Sequence, residues 1–444
     1  MGIIVLPVIL IKMSEDDIAI WYVFSAMQSL IALLDFGFSP TFTRNVTYAF
    51  SGAKDILKDS FASTQEEETP NYNLLYAIYR LGRRLYMLLS VLVVVIMMTG
   101  GIAYYRSVIP TQTAYYYIAF LIFSGAMWVN IFFSYIPAYM KGIGAIKESC
   151  QAYVISRILY ILLAVILLFC NFGLVAVTIA LFISGIILRI ASAVLLKKYE
   201  QQNAIKLQKS NEYSLKKLFL AMWTNTRKEG IIMIANFLIQ QSATFLSTSY
   251  LGLSVSAQYG LTIQLLNIIG NISFVYFNVV SPRITQARIE KEESLLRKYF
   301  CNSFSFLALV FIVGCIGMIL VGPWFLKLIG SNSTLLPTSY LIVFSLIFFL
   351  EKSHTVCASY IATSNHLPYT YPYLISSVFI FSIYVLSVLF TPLGIWGFAL
   401  AQGIIQLCYN NWRWPLYVSK ELKVTIPRMY LEGFKGLWTE LRKA

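Results

Sequence analysis

Long apolar runs dominate this chain and constrain its fold more than any other feature. Eleven runs are long enough to cross about 30 Å of hydrocarbon as helices, and a twelfth, at the N-terminus, is shorter. The predicted spans are Gly2–Ile11, Ile18–Thr41, Leu85–Tyr104, Tyr115–Tyr135, Val154–Cys170, Leu174–Leu196, Gly230–Leu251, Tyr259–Val280, Ser303–Leu326, Thr338–Ile361, Tyr373–Leu389 and Gly394–Trp412. A composition of 58% hydrophobic and 12% charged residues excludes a water-soluble globule. We therefore predict an all-α polytopic membrane protein of about 12 transmembrane helices.

The segment Met1–Ile11, which contains the first predicted span, cannot cross the hydrocarbon alone, because eleven residues at 1.5 Å each give a helix of only about 16 Å. A signal peptide is the alternative interpretation. However, the basic n-region is absent, and Glu15, Asp16 and Asp17 follow where a small-residue cleavage site would stand. We therefore expect a shortened first helix.

The basic residues predict the orientation in the membrane. The net charge of +14 would suggest nucleic acid as a partner of a soluble protein. Here, however, 29 of the 34 Lys and Arg residues fall in the even-numbered loops and the C-terminal tail, and three fall in the odd-numbered loops. This distribution predicts that both termini face the cytoplasm, and it accounts for the net charge without nucleic acid.

A long basic loop predicts the boundary between two lobes. Basic residues are concentrated between 197 and 229, and six predicted spans lie on either side. We predict an N-terminal six-helix lobe at 1–196, a basic cytoplasmic linker at 197–229, and a C-terminal six-helix lobe with a cytoplasmic tail at 230–444. Two halves with an even number of spans would be parallel repeats.

The chain lacks the motifs of several enzyme classes. There is no GxxxxGK[ST] phosphate loop, no HExxH, no GxSxG and no CxxC, so we predict neither catalysis nor a metal or cofactor site. A membrane-bound glycan polymerase or ligase is a remaining alternative. It would need a sizeable external loop, and the odd-numbered loops are too short to supply one.

Amide side chains recur on single faces of three predicted spans, which favours a polar cavity between helices. The candidate substrate-binding amides are Asn236, Gln240, Asn267, Asn271, Gln402 and Gln406. The alternative is that these amides only join helices through hydrogen bonds, each contributing about 0.6 kcal/mol.

Ionisable residues inside spans are more specific candidates for functional sites than the amides, because an isolated charge there costs at least about 2.5 kcal/mol. Glu351 and His354 are three residues apart on one helix face, so they are candidates for carrying a proton. Asp35 is the third candidate for ion coupling. A Glu–His–Lys cluster including Lys352, which only fixes the helix packing, is the alternative.

Two short motifs resemble those of a known family. Leu34-Asp35-Phe36-Gly37-Phe38 followed by Thr43-Arg44-Asn45 is similar to the "LDxGx…xxR" segment of Wzx-type polysaccharide and O-antigen flippases. Ser281-Pro282-Arg283-Ile284 is similar to their "xPxIS" segment. These flippases belong to the multidrug/oligosaccharidyl-lipid/polysaccharide exporter superfamily, and the likeness in span number and basic central loop extends over nearly the whole chain.

The resemblance implies two lobes around a V-shaped cavity and an ion-driven flippase of a bacterial inner membrane. The implied substrate is an undecaprenyl-pyrophosphate-linked glycan, with membrane lipids and the polysaccharide polymerase machinery as further partners. Basic cavity residues would meet the pyrophosphate, and the candidates are Arg44, Arg157, Arg189 and Lys352. A proton- or sodium-coupled drug or small-cation antiporter of the same superfamily is the alternative, and it would need a net acidic cavity.

Overall fold

The computed structural model describes residues 2–53, 70–109, 113–205, 213–289, 292–364 and 368–442. Every regular element in these ranges is a helix. The chain divides into two compact units, Met1–Phe237 and Leu238–Ala444. The division falls inside one helix, a little beyond the predicted linker.

The helices of unit 1, with the one that continues into unit 2, are α1 (Gly2–Lys12), α2 (Glu15–Ala32), α3 (Phe38–Phe50), α4 (Tyr72–Ile96), α5 (Ile102–Val108), α6 (Ala114–Phe132), α7 (Tyr135–Gly142), α8 (Ile146–Phe169), α9 (Gly173–Gln202) and α10 (Leu215–Gln240). A π-helical turn, Met97–Gly101, joins α4 to α5. The core of this unit contains stacked aromatic rings, such as Phe24 against Phe123 at 4.4 Å between centroids.

The helices of unit 2 are α11 (Ser242–Leu246), α12 (Leu253–Ser273), α13 (Val275–Ile289), α14 (Glu293–Leu328), α15 (Thr338–Ala362), α16 (Thr370–Phe390), α17 (Ile395–Cys408), α18 (Asn410–Glu421) and α19 (Ile426–Leu441). A π-helical turn, Ser247–Leu251, follows α11. One apolar core joins α13, α14, α15 and α18, and Phe300, Tyr360 and Trp414 are buried in it.

Ten helical segments in the described ranges are long and apolar enough to cross a membrane, and they coincide with the second to eleventh predicted spans. The first helix, α1, has 11 residues, as predicted. The twelfth predicted span corresponds to α17, which has only 14 residues, and the start of α18. Large apolar side chains are exposed along these segments, for example Leu320 of α14 at 72%. The protein is therefore a multi-pass membrane protein.

The structure breaks two of the spans that we predicted as continuous. The predicted helix Ile18–Thr41 stops at Ala32 and resumes at Phe38 after a 3-10 turn, because Phe36 and Gly37 have φ angles of 45° and 77°. A left-handed conformation interrupts a right-handed helix and is adopted readily by glycine. The twelfth predicted span ends at Cys408, since Tyr409 leaves the helical conformation with φ −144° and ψ −62°.

Candidate functional site

The Glu351 carboxylate is the centre of a buried polar cluster in unit 2. It lies in the middle of α15, with 3% of the residue exposed. Gln240 Nε2 donates to Glu351 Oε1 at 2.9 Å, and Gln402 Nε2 donates to Oε2 at 2.5 Å. No lysine or arginine among the described residues forms an ion pair with it. Three helices thus enclose a carboxylate that amides stabilise and that no lysine or arginine in the described part of the chain neutralises.

Tyr384 of α16 fixes the orientation of these amides. Its hydroxyl donates to the carbonyl of Ile239 at 3.2 Å and lies 3.5 Å from Gln402 Oε1. With the Gln402 oxygen facing a hydroxyl, its NH₂ group is directed at the carboxylate of Glu351. Gln240 is the last residue of α10, next to the break at Gln241. Side chains beside helix interruptions line the binding sites of many secondary transporters.

His354 lies one turn of α15 from Glu351 but has a different partner. The ring is buried, and Nδ1 lies 2.8 Å from Asn411 Oδ1 of α18. The hydrogen bonds of the described residues therefore place Glu351 and His354 in neighbouring polar groups. They do not join the two side chains directly. Their role in ion coupling stays a prediction.

Asn410 is the centre of a second buried polar group, at the break between α17 and α18. Its Nδ2 donates to Ser376 Oγ at 2.9 Å and to Gln406 Oε1 at 2.8 Å, and its Oδ1 accepts from Trp414 Nε1 at 2.9 Å. Short polar side chains that bind locally compete with regular helix. The Asn410 contacts give the physical reason for the broken twelfth span. They occupy the side-chain oxygen of Gln406, and contact of Gln406 with substrate stays a prediction.

Lys352 points away from the Glu351 cluster. It is half-buried, and its Cε lies 2.6 Å from where a Cβ on Gly270 of α12 would stand. Gly270 therefore provides the space in which the Lys352 side chain lies across α12. Among the described residues the Lys352 ammonium has no recorded ion pair.

The remaining predicted amides lie outside this cluster. Asn236 is exposed on α10, Asn267 is half-buried on α12, and Asn271 is exposed one turn further along the same helix. None of these three side chains has a recorded hydrogen bond to Glu351, Gln240 or Gln402. Their contact with substrate stays a prediction.

Asp35, in unit 1, stabilises the bend between α2 and α3. The hydroxyl of Tyr86 of α4 donates a hydrogen bond to Asp35 Oδ1, and the backbone N–H of Ser39 donates one to Oδ2 at 3.2 Å. The second contact satisfies one of the free N–H groups at the start of α3, as a capping carboxylate does. Asp35 therefore has a structural role in this structure, and its role in ion coupling stays a prediction.

Arg189 binds a helix end. It is 8% exposed, and its guanidinium donates from Nη2 to the carbonyl of Asn130 at 2.8 Å and from Nη1 to that of Phe133 at 3.3 Å. These carbonyls are at the C-terminus of α6, where a positive charge is favourable. In contrast, Arg44 on α3 and Arg157 on α8 are exposed.

Sequence reasoning missed several residues that complete these groups. Tyr384, Ser376 and Tyr86 are members of apolar spans in which a single hydroxyl carries no periodic signal. Asn411 lies five residues after Gln406, so the prediction of a continuous helix placed it on another face than the amides. Among the described residues, no group of three or more His, Cys, Asp or Glu is placed to hold a metal ion.

Comparison with known proteins identifies the fold. No family model matches the chain, and no curated protein matches it. A solved inward-facing conformation of a multidrug resistance MATE family transporter of the MOP superfamily is similar over 94% of both chains, with a TM-score of 0.66 and 14% identity. The chain has a MATE-like transporter fold.

Two further solved structures agree. An outward-facing conformation of a multidrug resistance MATE family transporter gives a TM-score of 0.53 over 95% of both chains at 13% identity. A MATE in complex with MaD3S gives 0.51 over 92% of this chain and 89% of that chain, at 14% identity. The predicted all-α fold is confirmed. At these identities the likeness establishes the fold and leaves the substrate open.

Proposed function

We propose that this protein is a cation-coupled secondary transporter that works by alternating access, and that its substrates are small organic cations or drugs. The observation that supports this proposal is that the Glu351 carboxylate is buried within a membrane-spanning helix and accepts hydrogen bonds from two amides. Amide donors stabilise a carboxylate, but they supply no positive charge. A proton or a sodium ion would supply it.

The position of Glu351 within a membrane-spanning helix makes its charged form costly. A charged residue at the centre of a bilayer costs at least about 2.5 kcal/mol, so its neutral or cation-bound form is favoured wherever water cannot reach it. A conformation that opens the cluster to water favours release of the cation. Cation binding therefore shifts the balance between two conformations, which is the requirement for coupled transport.

The fold and the contacts of Arg189 support the antiporter. Two of the similar structures are multidrug resistance transporters, and the antiporter was the alternative prediction from the sequence. An antiporter would need a net acidic cavity. In this structure the guanidinium of Arg189 binds carbonyls at the end of α6, which leaves one basic group fewer for a cavity.

The test uses purified protein in liposomes with an imposed proton or sodium gradient and ethidium as the transported cation. We expect gradient-dependent ethidium movement, and at least a tenfold loss of its rate in Glu351→Gln. Glu293→Gln is the matched control, because Glu293 is exposed at the start of α14. A Glu351→Gln protein that transports ethidium at the unaltered rate in the same gradient would contradict the proposal.

The flippase remains a second candidate, supported by one observation. Lys352 is a half-buried basic side chain in a membrane-spanning helix, without a recorded acidic partner among the described residues, so it could bind a pyrophosphate. In this proposal undecaprenyl-pyrophosphate-linked glycans cross a bacterial inner membrane, and Arg44 and Arg157, which are exposed in the middle of α3 and α8, attract them.

Genetics separates the two candidates. Deleting the gene of a flippase should cause a lipid-linked sugar to accumulate on the cytoplasmic leaflet, and Lys352→Ala should abolish surface glycan at an unchanged protein level. Lys327→Ala, which removes an exposed lysine at the far end of α14, is the control. Absence of any accumulated lipid-linked sugar would argue for the antiporter.

A further inference from the structure

The C-terminal helix α19 has one face fixed to the protein. Gly433 and Gly436 approach α14 so closely that a Cβ on either would collide with Cys301 or Asn302. Ser305 Oγ of α14 also donates to the carbonyl of Tyr430 at 3.0 Å. A side chain on either glycine would separate the two helices, so this face is specified by the sequence.

Glu432 adds an ionic contact to the same packing. It accepts two hydrogen bonds from Arg297 of α14, one of them at 2.6 Å, and another from Arg428 Nε at 2.8 Å. Its negative charge is thereby neutralised locally. The other basic groups of α19 are left to act outward.

The opposite face of α19 combines exposed apolar and basic side chains. Leu431, Phe434 and Trp438 follow one another at helical spacing, with 62%, 41% and 60% exposed. Lys435 and Arg442 are exposed beside them, and the Arg442 guanidinium lies 5.2 Å from the Trp438 ring centroid. Tryptophan, phenylalanine and leucine next to lysine and arginine are typical of helices that bind at the surface of a bilayer.

The neighbouring helix α14 indicates where this face lies relative to the membrane. Exposed large apolar residues of α14 begin at Leu309 and continue to Leu328, about 30 Å of helix, which matches the hydrocarbon thickness. The contacts with α19 lie between Arg297 and Ser305, immediately before that stretch. Helix α19 therefore adjoins one edge of the lipid-facing surface.

We propose that the outward face of α19 binds anionic phospholipid headgroups at the cytoplasmic surface of the membrane. The three apolar side chains would enter the boundary with the acyl chains, and Lys435 and Arg442 would pair with the phosphates. From residue 426 to the C-terminus the sequence has four basic and two acidic residues, which fits an anionic surface. This site is independent of what the protein transports.

The experiment measures amide hydrogen exchange of the 426–441 segment in the full-length protein. The protein is placed in nanodiscs of phosphatidylcholine alone or of an equimolar mixture with phosphatidylglycerol. We expect exchange about tenfold slower in the anionic nanodiscs, because a helix held on the surface opens less often. The Lys435→Gln/Arg442→Gln variant should lose this difference, and Leu431→Ser/Trp438→Ser should exchange faster in both lipids.

The matched control is Lys197→Gln/Lys198→Gln, which removes two exposed charges from α9 and should keep the lipid effect. Unchanged melting temperatures in detergent would exclude a folding defect in each variant. Equal exchange rates in both lipids would overturn the proposal and would leave this face for a protein partner. A lipid effect that survives in Lys435→Gln/Arg442→Gln would also overturn it.

Discussion

Gln402 of α17 donates a hydrogen bond to the carboxylate of Glu351 of α15, with 2.5 Å between Nε2 and Oε2. Both side chains are about 3% exposed, so neither can exchange its partner for bulk water in this conformation. The contact joins two helices that are separated by the whole of α16 in the sequence. It explains why an amide stripe and an acidic residue occur in the same unit.

Removing the amide should destabilise the protein. Gln402→Leu leaves one oxygen of a buried carboxylate without its donor, at a cost of about 1–3 kcal/mol. Adding Glu351→Leu should restore part of that loss, since replacing both polar partners by apolar groups leaves no unpaired charge. Melting temperatures in detergent for the two single variants and the double variant test this. Additive losses would contradict the coupling.

Arg189 should be needed for stability more than for transport. Arg189→Leu removes both hydrogen bonds at the end of α6, and we expect a loss of about 1–3 kcal/mol in the free energy of unfolding. The control is Arg157→Leu, which removes an exposed arginine from α8 and should leave the melting temperature nearly unchanged. A stable Arg189→Leu protein that fails to transport would instead indicate contact with substrate.

The bend after α2 should depend on a close approach by α10. The Cβ of alanine at Gly230 would stand 2.5 Å from the Phe36 ring, so Gly230→Ala should lower the free energy of unfolding by about 1–3 kcal/mol. At Gly317 of α14 a Cβ meets nothing within 4 Å. Gly317→Ala should therefore be neutral or stabilising by up to about 1 kcal/mol, because alanine is a better helix former than glycine. Equal melting temperatures for the two variants would refute the steric argument.

The contact between Arg297 and Glu432 should make stability depend on pH. Hydrogen bonds from Arg297 and Arg428 lower the pKa of Glu432 below its ordinary value of 4.5. A lowered pKa means that the contact stabilises the folded protein above pH 4.5 and that this contribution is lost as the pH falls through the folded-state pKa. The melting temperature of Glu432→Gln should lie below that of the unaltered protein at neutral pH and approach it in acid.

The comparison variant for this effect is Glu293→Gln, which removes the ion pair between Glu293 and Lys423. The side chain of Lys423 is 73% exposed and that of Glu293 is 76% exposed. Exposed pairs contribute little, so we expect a smaller shift at neutral pH. A difference between Glu432→Gln and the unaltered protein that is constant from neutral pH into acid would contradict the assignment.

The sequence predicted most of the membrane-spanning helices because their signal is local. A run such as Ser303–Leu326 has no water-soluble alternative, and the exposed apolar residues of α14 follow it closely. The bends between helices were harder to predict from the sequence. Phe36-Gly37 could be read as part of a continuous span, since a left-handed residue is fixed by its neighbours and glycine alone does not require one.

The sequence predicted which residues form the candidate site, but only partly which of them contact each other. Glu351, Gln240 and Gln402 all stood out because polar groups in an apolar span are costly. Pairing Glu351 with His354 rested on spacing within one helix. In the structure other helices supply the partners of each, Gln240 and Gln402 for the carboxylate and Asn411 for the imidazole. Contacts between helices have no periodic signal in a single sequence.

The sequence by itself determined that this chain is an all-helical membrane protein, because hydrocarbon tolerates few other uses of such apolar runs. It also limited the ionisable groups inside the spans to a few residues. Only the tertiary structure decided which partners each of these has, since a buried charge is stabilised by whichever donors the packing brings to it. Packing placed the guanidinium of Arg189 on carbonyls at the end of α6 and the carboxylate of Glu351 between two amides.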